Sequence, residues 1–431
     1  MLKKMKSIKE AVSRRSSGKK NKDNYLVALD VGTENVKVLI GRVDNGDIEI
    51  VGVGKAHQDL NDMQAGAIAD IAAVVNNCDQ ALNQAEQQAG VSARPVVIGI
   101  AGELVKGTTI SVQVRRKNSD KELSIEEVER IVELVQQRAR KRAKQQLAWE
   151  LGGKDVEIQL VNSALVSIEI DGYPVTNPIG FKGKDVVVQL YTAFAPMIHI
   201  GALERTAKEL DMDLLAVAAE PFAVARSVIG NDSNASMNAI LMDVGGGTTD
   251  IAVINDGGVQ GTKMFGIGGR AYTRSIERAL DLSFLQAEEI KLGLTTDKVP
   301  SGKLPVINKA LDSTLSVWVS GVELALGEFS KLDHLPNRLL LCGGGSSLQK
   351  LVDQLETSDW YTQLPFTRKP TVQHIQPHQV VGIVDKTGKV NDHTYITAMG
   401  LLRVGMDTLT QSDSLSSESS LRQRLDRILR V

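Results

Sequence analysis

The sequence contains little cysteine and few aromatic residues, and both shortages narrow the possible protein classes. Its 431 residues include two cysteines, Cys78 and Cys342, far apart and in no metal-binding or redox spacing. This pattern disfavours a disulfide-stabilised secreted domain and a thiolate metal site, and predicts two buried, inert thiols. Aromatic residues make up 4% of the chain and hydrophobic residues 42%. The core must therefore be mainly aliphatic, in a chain long enough for roughly two to four domains.

Long uninterrupted apolar segments are also lacking. The best stretches, residues 186–200 and 214–229, are broken by polar residues and proline, so the sequence predicts no membrane-spanning helix. The basic N-terminus is not followed by the apolar segment of a signal peptide. We therefore expect a cytoplasmic protein.

The two signs of charge almost balance, but they are unevenly distributed. Lys and Arg total 50 against 52 acidic residues, which argues against a globally basic nucleic-acid binder. Residues 1–24 nevertheless hold nine Lys or Arg and two acids. We interpret them as a disordered basic tail or an amphipathic helix that contacts lipid, with nucleic-acid affinity as the alternative.

A pattern of three strands and a polar turn occurs twice. Strand-like runs at 25–30, 36–43 and 48–53 precede a helical stretch at about 67–88, and similar strands cover 239–242, 251–254 and 259–265. The turns that follow Asp30 and Asp243 start 213 residues apart. Such a duplication predicts two α/β halves that face one another across a cleft.

Three glycine-containing loops carry the candidate chemistry. They are listed by residue: Asp30, Gly32, Thr33 and Lys37; Asp243, Gly245, Gly246, Gly247 and Thr248; and Gly343, Gly344, Gly345 and Ser346. A single loop of this kind is more often an ordinary turn, but three together favour a nucleoside triphosphate, whose oxygens backbone N–H groups can approach where no Cβ intervenes. Carboxylates would hold hydrated Mg²⁺. Walker A and dinucleotide fingerprints do not occur in the sequence.

These residues resemble the actin-like ATPase superfamily of actin, Hsp70 and sugar kinases. The resemblance places two phosphate hairpins at Asp30–Lys37 and Asp243–Asp250, an adenosine loop at 340–348, and connecting helices at 215–228 and 397–402. It also implies that Glu288 and Lys291, in a Glu-x-x-Lys pattern, contact the ribose and adenine; an ordinary surface pair on a helix is the alternative.

Within the superfamily, residues 25–410 most resemble the FtsA family of bacterial cell-division proteins, and the PilM family of pilus proteins comes second. The main signal is 172–183, which contains Asn-Pro-x-Gly-x-x-Gly. The resemblance implies five units, listed with the FtsA labels: 1A (25–94, 194–236 and 395–410), 1C (95–193), 2A (237–268 and 334–394), 2B (269–333), and a serine-rich linker with a terminal helix (411–431). The fold class expected is therefore α/β, with an inserted subdomain.

Glu220 is the candidate for orienting the hydrolytic water. It precedes Pro221, a favoured first helical residue, and would face the cleft from a helix N-terminus. Its alternative role is to complement the helix dipole. With Asp30 and Asp243, it completes the expected catalytic set of a slow ATPase that acts as a switch and uses ATP and Mg²⁺.

A short amphipathic helix is predicted at the C-terminus. Its apolar stripe and its basic residues are listed as Leu421, Leu425, Ile428 and Leu429, and Arg422, Arg424, Arg427 and Arg430. Such a helix would lie on an anionic membrane, although docking on the chain's own body is an alternative. By resemblance, the protein would form filaments at the cytoplasmic face of the membrane and tether the tubulin-like protein FtsZ through residues 269–333. A pilus-assembly adaptor and a small-molecule kinase are the competing functions.

Overall fold

The computed structural model describes residues 25–44, 46–229, 237–294, 299, 301–330 and 332–413. The basic tail at 1–24 and the helix expected at 421–430 lie outside these ranges. Within the ranges, no helix is both long enough and apolar enough to cross a membrane.

The described residues form strands that we number in chain order: β1 (Tyr25–Val31), β2 (Asn35–Asp44), β3 (Asp47–His57), β4 (Met63–Gln64), β5 (Ala67–Ile68), β6 (Pro95–Ile100), β7 (Lys106–Arg115), β8 (Ile158–Ile170), β9 (Tyr173–Pro174), β10 (Asp185–Pro196), β11 (Asp213–Ala219), β12 (Ala239–Val244), β13 (Thr249–Asn255), β14 (Gly258–Phe265), β15 (Arg338–Cys342), β16 (Thr371–His374) and β17 (Ile383–Asp385). The α-helices are α1 (Ile71–Ala89), α2 (Ile125–Glu150), α3 (Met197–Glu209), α4 (Glu220–Ile229), α5 (Gly269–Leu280), α6 (Phe284–Leu294), α7 (Leu304–Gly327), α8 (Gln349–Thr357) and α9 (Ile396–Asp413).

Two sheets repeat one strand order, as the sequence duplication predicts. The first sheet runs β11-β6-β1-β2-β3-β17, and the second contains β16-β15-β12-β13-β14. Each contains an antiparallel meander, β1-β2-β3 or β12-β13-β14. Two further strands continue the sheet in parallel beside the first strand of the meander: β6 and β11 beside β1, and β15 and β16 beside β12. Strands β1 and β12 are almost wholly buried, because helices cover both faces of such a sheet.

An inserted unit extends the second sheet. Strands β7, β10, β8 and β9 follow β14 in the strand order, and Gly261 and Thr262 of β14 pair with β7 at Thr108 and Gly107. Helix α2 packs its buried apolar residues on this part of the sheet. It begins where the Ser124 hydroxyl accepts the N–H of Glu127 (3.3 Å), which satisfies one of the free donors of its first turn.

Several predicted boundaries differ from the structure. Strand β6 lies within the range expected for the insert, 95–193, yet pairs with β1 and β11 in the first sheet. The proposed insert therefore begins after Ile100. The two strands expected at 156–161 and 163–170 are one strand, β8, because a short apolar run with one polar residue does not reveal where a strand ends.

Three helix limits also shift. The first connecting helix, expected at 215–228, begins at Glu220, since the preceding residues form β11. Helix α1 begins at Ile71 rather than near Ala67, because Asp70 accepts the N–H groups of Ala72 and Ala73 and so caps it. Residues 411–413, expected in the linker, continue α9.

Candidate functional site

The first hairpin, between β1 and β2, places a carboxylate beside an ammonium group. Asp30 and Lys37 face each other in the strand register, and Lys37 Nζ lies 2.9 Å from Asp30 Oδ2. Burial alone would lower the pKa of Lys37, but the Asp30 carboxylate outweighs it and raises that pKa. In the turn, a Cβ on Gly32 would lie 2.8 Å from the carbonyl oxygen of Asn35, so the tight turn requires glycine.

The second hairpin, between β12 and β13, carries two buried carboxylates. Asp243 and Asp250 face each other across the strands. The hydroxyl of Thr397, in the first turn of α9, donates to Asp243, and Thr248 donates to Asp250 Oδ2 at 2.9 Å. The other carboxylate oxygen of Asp250 is buried without a protein partner. It is therefore available to a ligand or to water.

The third loop follows β15 and packs beneath the second hairpin. Gly343 has φ = +80°, and a Cβ there would lie 2.0 Å from Asp243 Oδ1. A Cβ on Gly345 would lie 2.7 Å from Val244 Cγ1. Ser346 is buried, and its hydroxyl donates to the Gly343 carbonyl at 2.8 Å. The glycines thus permit contact between two loops of the same half.

Glu220 begins α4 and is 8% exposed. Its carboxylate lies so close to β6 that a Cβ on Gly99 would be 2.9 Å from Oε1. Burial raises the pKa of Glu220 well above its usual value, and the carboxylates of Asp30, Asp250 and Asp243 raise it further, against the opposing effect of Lys37. Burial and the neighbouring acids thus favour the neutral form of this carboxyl group more than in an exposed glutamate.

These loops line one cavity of about 390 Å³. The predicted site residues that line it are Asp30, Gly32, Thr33, Lys37, Glu220, Asp243, Gly245, Gly246, Thr248, Glu288, Lys291, Gly343, Gly344 and Gly345. Gly247 and Ser346 do not: Gly247 packs against Thr33, and Ser346 turns inward while its neighbour Ser347 lines the cavity. The first two loops are remote in the sequence and reach the same cavity because they follow equivalent strands, β1 and β12, of the two sheets.

The Glu288–Lys291 pair lies on α6 at the cavity wall. Lys291 Nζ lies 2.8 Å from Glu288 Oε2, and it donates to Thr273 Oγ1 at 2.8 Å and to the Gly269 carbonyl at 3.1 Å. The Thr273 hydroxyl also contacts Glu288. The pair is thus tied to α5 rather than free on a helix surface, which favours the interpretation that its polar atoms are held in place for a ligand.

Sequence reasoning missed several lining residues. They include Glu34, Lys55, Asp250, Arg270, Ser347 and Thr394. For Asp250 a signal was available, since it is an acidic residue at the start of an otherwise apolar strand, opposite Asp243. Arg270 and Thr394 gave no comparable signal, because their positions depend on how distant segments pack.

Four acidic groups of the cavity cluster around one lysine. Asp30, Asp243, Asp250 and Glu220 line it near the buried ammonium of Lys37. Burial raises the pKa of Asp250 to about 8, with Asp243 contributing, and burial also raises the pKa of Asp243. A cation would favour the ionised forms. Among the described residues, no three His, Cys, Asp or Glu groups form a direct metal site.

Comparisons with known proteins agree with the topology. A family model described as "Cell division protein FtsA" matches residues 240–400. Among curated relatives, FtsA of Pseudomonas aeruginosa is 26% identical over 92% of this chain and 92% of its own length, and FtsA of Neisseria meningitidis serogroup B is 25% identical over 88% and 89%. A chain of the solved "PilM-PilN type IV pilus biogenesis complex" superposes with a TM-score of 0.63 at 16% identity, over 88% of this chain and 98% of that one. The expected α/β actin-like fold is thereby confirmed.

Proposed function

We propose that this FtsA-type cell-division protein of actin-like fold binds ATP with Mg²⁺ in the cleft between its halves. One observation carries the proposal: Asp30 and Asp243, on equivalent strands of the two sheets, line the same cavity together with three glycine loops. Backbone N–H groups at such loops suit phosphate oxygens. The two aspartates would hold Mg²⁺ through water, and Mg²⁺ would neutralise phosphate charge.

The chain's own residues support this ligand class. The partnerless Asp250 oxygen and the raised pKa values of Asp243 and Asp250 indicate carboxylates that gain from a cation. Lys37 provides a fixed positive charge beside them. Glu288 and Lys291, which Thr273 holds at the cavity wall, would contact the ribose and base. Calorimetry with ATP and Mg²⁺ tests binding, and Asp243→Ala should weaken it at least about tenfold.

For hydrolysis, Glu220 would orient the attacking water, since phosphoryl transfer needs positioning more than covalent chemistry. Its carboxylate lies in the cavity wall, where the charges of Asp30, Asp250 and Asp243 act on it. Turnover would be slow and would act as a switch rather than as product synthesis.

Glu220→Ala should therefore abolish phosphate release while the calorimetric affinity for ATP stays within about threefold. Glu204→Ala is the matched control, because Glu204 is an exposed carboxylate on α3 and should keep normal turnover. Unchanged phosphate release in Glu220→Ala would remove Glu220 from this role.

Attachment to the membrane and to a division ring would follow from the family. We propose that residues 421–430, with Leu421, Leu425, Ile428 and Leu429 on one side and Arg422 and Arg424 among the basic residues, bind anionic lipid at the cytoplasmic face. The FtsZ-like partner would dock on residues 269–333. Support comes from three exposed apolar side chains of α7 in this region, Val306, Val317 and Leu324, at 46%, 58% and 73% exposure, since exposed apolar patches often mark contact sites.

Sedimentation with ATP, with ADP and without nucleotide, with and without anionic vesicles, tests self-association and attachment together. We expect nucleotide-dependent pelleting that increases on vesicles. In flotation, a variant lacking residues 413–431 should lose most membrane binding, and one lacking 1–24 should lose less. If both truncated proteins float like the full chain, the terminal segments are not the anchors.

A further inference from the structure

Arg270, the second residue of α5, contacts both phosphate hairpins. Its backbone N–H donates to the Gly246 carbonyl in the second hairpin at 2.8 Å. Its side chain reaches the other half, where Nε donates to Glu34 Oε2 at 2.7 Å and Nη2 donates to the Gln58 carbonyl at 3.2 Å. The guanidinium group is largely buried, with the Arg270 side chain 11% exposed.

The backbone at Glu34 is held in place by hydrogen bonds that do not involve Arg270. The Gln58 N–H donates to the Glu34 carbonyl at 2.9 Å. The fully buried Gln58 side chain donates to the Gly32 carbonyl at 3.2 Å and accepts from Asn77 Nδ2 at 2.8 Å. Helix α1, which carries Asn77, therefore supports the same turn that Arg270 contacts.

The hairpins also touch directly at two of the three consecutive glycines. A Cβ on Gly246 would lie 2.8 Å from Glu34 Cβ, and one on Gly247 would lie 2.8 Å from Thr33 Oγ1. Gly245 differs, since its Cβ would meet nothing closer than 3.4 Å. The second and third glycines thus allow contact between halves, in addition to any role toward phosphate.

We propose that Arg270 is a positioning residue whose ion pair with Glu34 joins the two phosphate hairpins across the cleft and slows nucleotide release. The inference rests on the proposed nucleotide site. Both halves contribute loops to the cavity, so separation of the halves would open it for nucleotide release. Separation must break the Arg270–Glu34 pair and the contact with Gln58. Loss of one partner from a buried, hydrogen-bonded charge pair acts mainly on the dissociation rate.

The first measurement is dissociation of a fluorescent ATP analogue, chased with excess ATP in the presence of Mg²⁺. Arg270→Ala should release it roughly tenfold faster than the unmodified chain. Arg274→Ala is the matched control. Arg274 lies one turn later on α5 and is exposed, and the ion pair of its Nη1 with Glu277 Oε2 is long, at 3.9 Å. Its release rate should stay within twofold of normal.

A double-mutant cycle identifies the pair as the cause. Glu34→Ala should also accelerate release, and the variant with both substitutions should release no faster than Arg270→Ala alone. If the two single effects multiply instead, or if Arg270→Ala stays within twofold of the unmodified chain, the pair does not restrain release and the inference is wrong.

A second measurement needs no nucleotide. Spin labels on cysteines introduced at Gln80 of α1 and Ala279 of α5, both exposed, report the separation of the halves. The native Cys78 and Cys342 are fully buried and should not be labelled. Arg270→Ala should broaden and lengthen this distance distribution, whereas Arg274→Ala should not. Failure of the analogue to bind the unmodified chain would overturn the proposed function, and the distance distribution would still decide the role of Arg270. An unchanged distribution in Arg270→Ala would overturn that role.

Discussion

The first and second hairpins occupy equivalent places in the two sheets, yet their buried carboxylates are stabilised in different ways. In the first, Asp30 is neutralised by Lys37 of the neighbouring strand at 2.9 Å. In the second, Asp243 faces another acid, Asp250, and receives a hydrogen bond from Thr397. The first hairpin is thus electrostatically satisfied by the chain itself, whereas the second is arranged so that an added cation would stabilise it.

The largest expected effect is on the free energy of unfolding, and it distinguishes Asp30 of the first hairpin from Asp243 of the second. Asp30→Asn removes the only carboxylate among the described residues that is within ion-pair distance of the buried Lys37 ammonium, which should lower the free energy of unfolding by about 2–4 kcal/mol. Asp243→Asn should change it by less than about 1 kcal/mol or raise it, because a neutral amide avoids the desolvation that raises the pKa of Asp243. Urea denaturation without nucleotide measures both.

The double variant Asp30→Asn with Lys37→Met serves as the control, since it removes both charges. It should recover most of the loss. Equal destabilisation by Asp30→Asn and Asp243→Asn would contradict the contrast between the hairpins.

A smaller effect is expected from the glycines of the second hairpin. Gly246→Ala brings a Cβ to 2.8 Å from Glu34 Cβ, and such overpacking costs about 1–3 kcal/mol of unfolding free energy. Gly245→Ala places its Cβ no closer than 3.4 Å to any atom and does not need a positive φ. We expect a change within about 0.5 kcal/mol for it.

The readout is the urea midpoint of each variant without nucleotide. If Gly245→Ala is as destabilised as Gly246→Ala, the consecutive glycines serve local backbone conformation and not contact between the hairpins.

The comparison also shows what the sequence could and could not predict. Asp30 and Asp243 were recognisable because acidic residues and glycines follow apolar strands in both halves, and repeated local patterns require no knowledge of tertiary packing. Gly247 was expected to approach a phosphate, but its closest neighbour across the cleft is Thr33. Arg270 was not recognised at all, since nothing near it in sequence indicates a partner 236 residues away.

The predicted limits of helices and of the insert were wrong for a related reason. Residues 215–219 were expected to begin a helix, but they form β11, because apolar residues next to a helix cap fit either state until a neighbouring strand is known. Strand β6 was assigned to the insert because local patterns do not tell which sheet a strand joins. Its parallel pairing with β1 and β11 is a tertiary fact.

The smallest expected effect concerns the third loop, which the second half fixes with two histidines. His393 Nε2 lies 3.0 Å from Ser347 Oγ, and His374 Nε2 donates to the Ser346 carbonyl at 3.0 Å. The centroids of the two rings lie 4.1 Å apart, and the ring planes are tilted by 31°. Burial, and then the neighbouring His374, lower the pKa of His393 to about 4.

A lowered pKa means that the folded protein prefers neutral His393, whereas the unfolded chain binds a proton below about pH 6.5. The stabilising contribution is thus present above pH 6.5 and is lost as the pH falls toward 4. Because the side chain is only partly buried, we expect a loss of about 1 kcal/mol between pH 7 and pH 5.

His393→Gln should narrow its stability difference from the unmodified chain by this amount over that interval, in urea denaturation at each pH. His378→Gln, at an exposed histidine nearby, should keep a constant difference. If the His393→Gln and His378→Gln curves stay parallel from pH 7 to pH 5, protonation of His393 does not destabilise the loop, and the prediction is wrong.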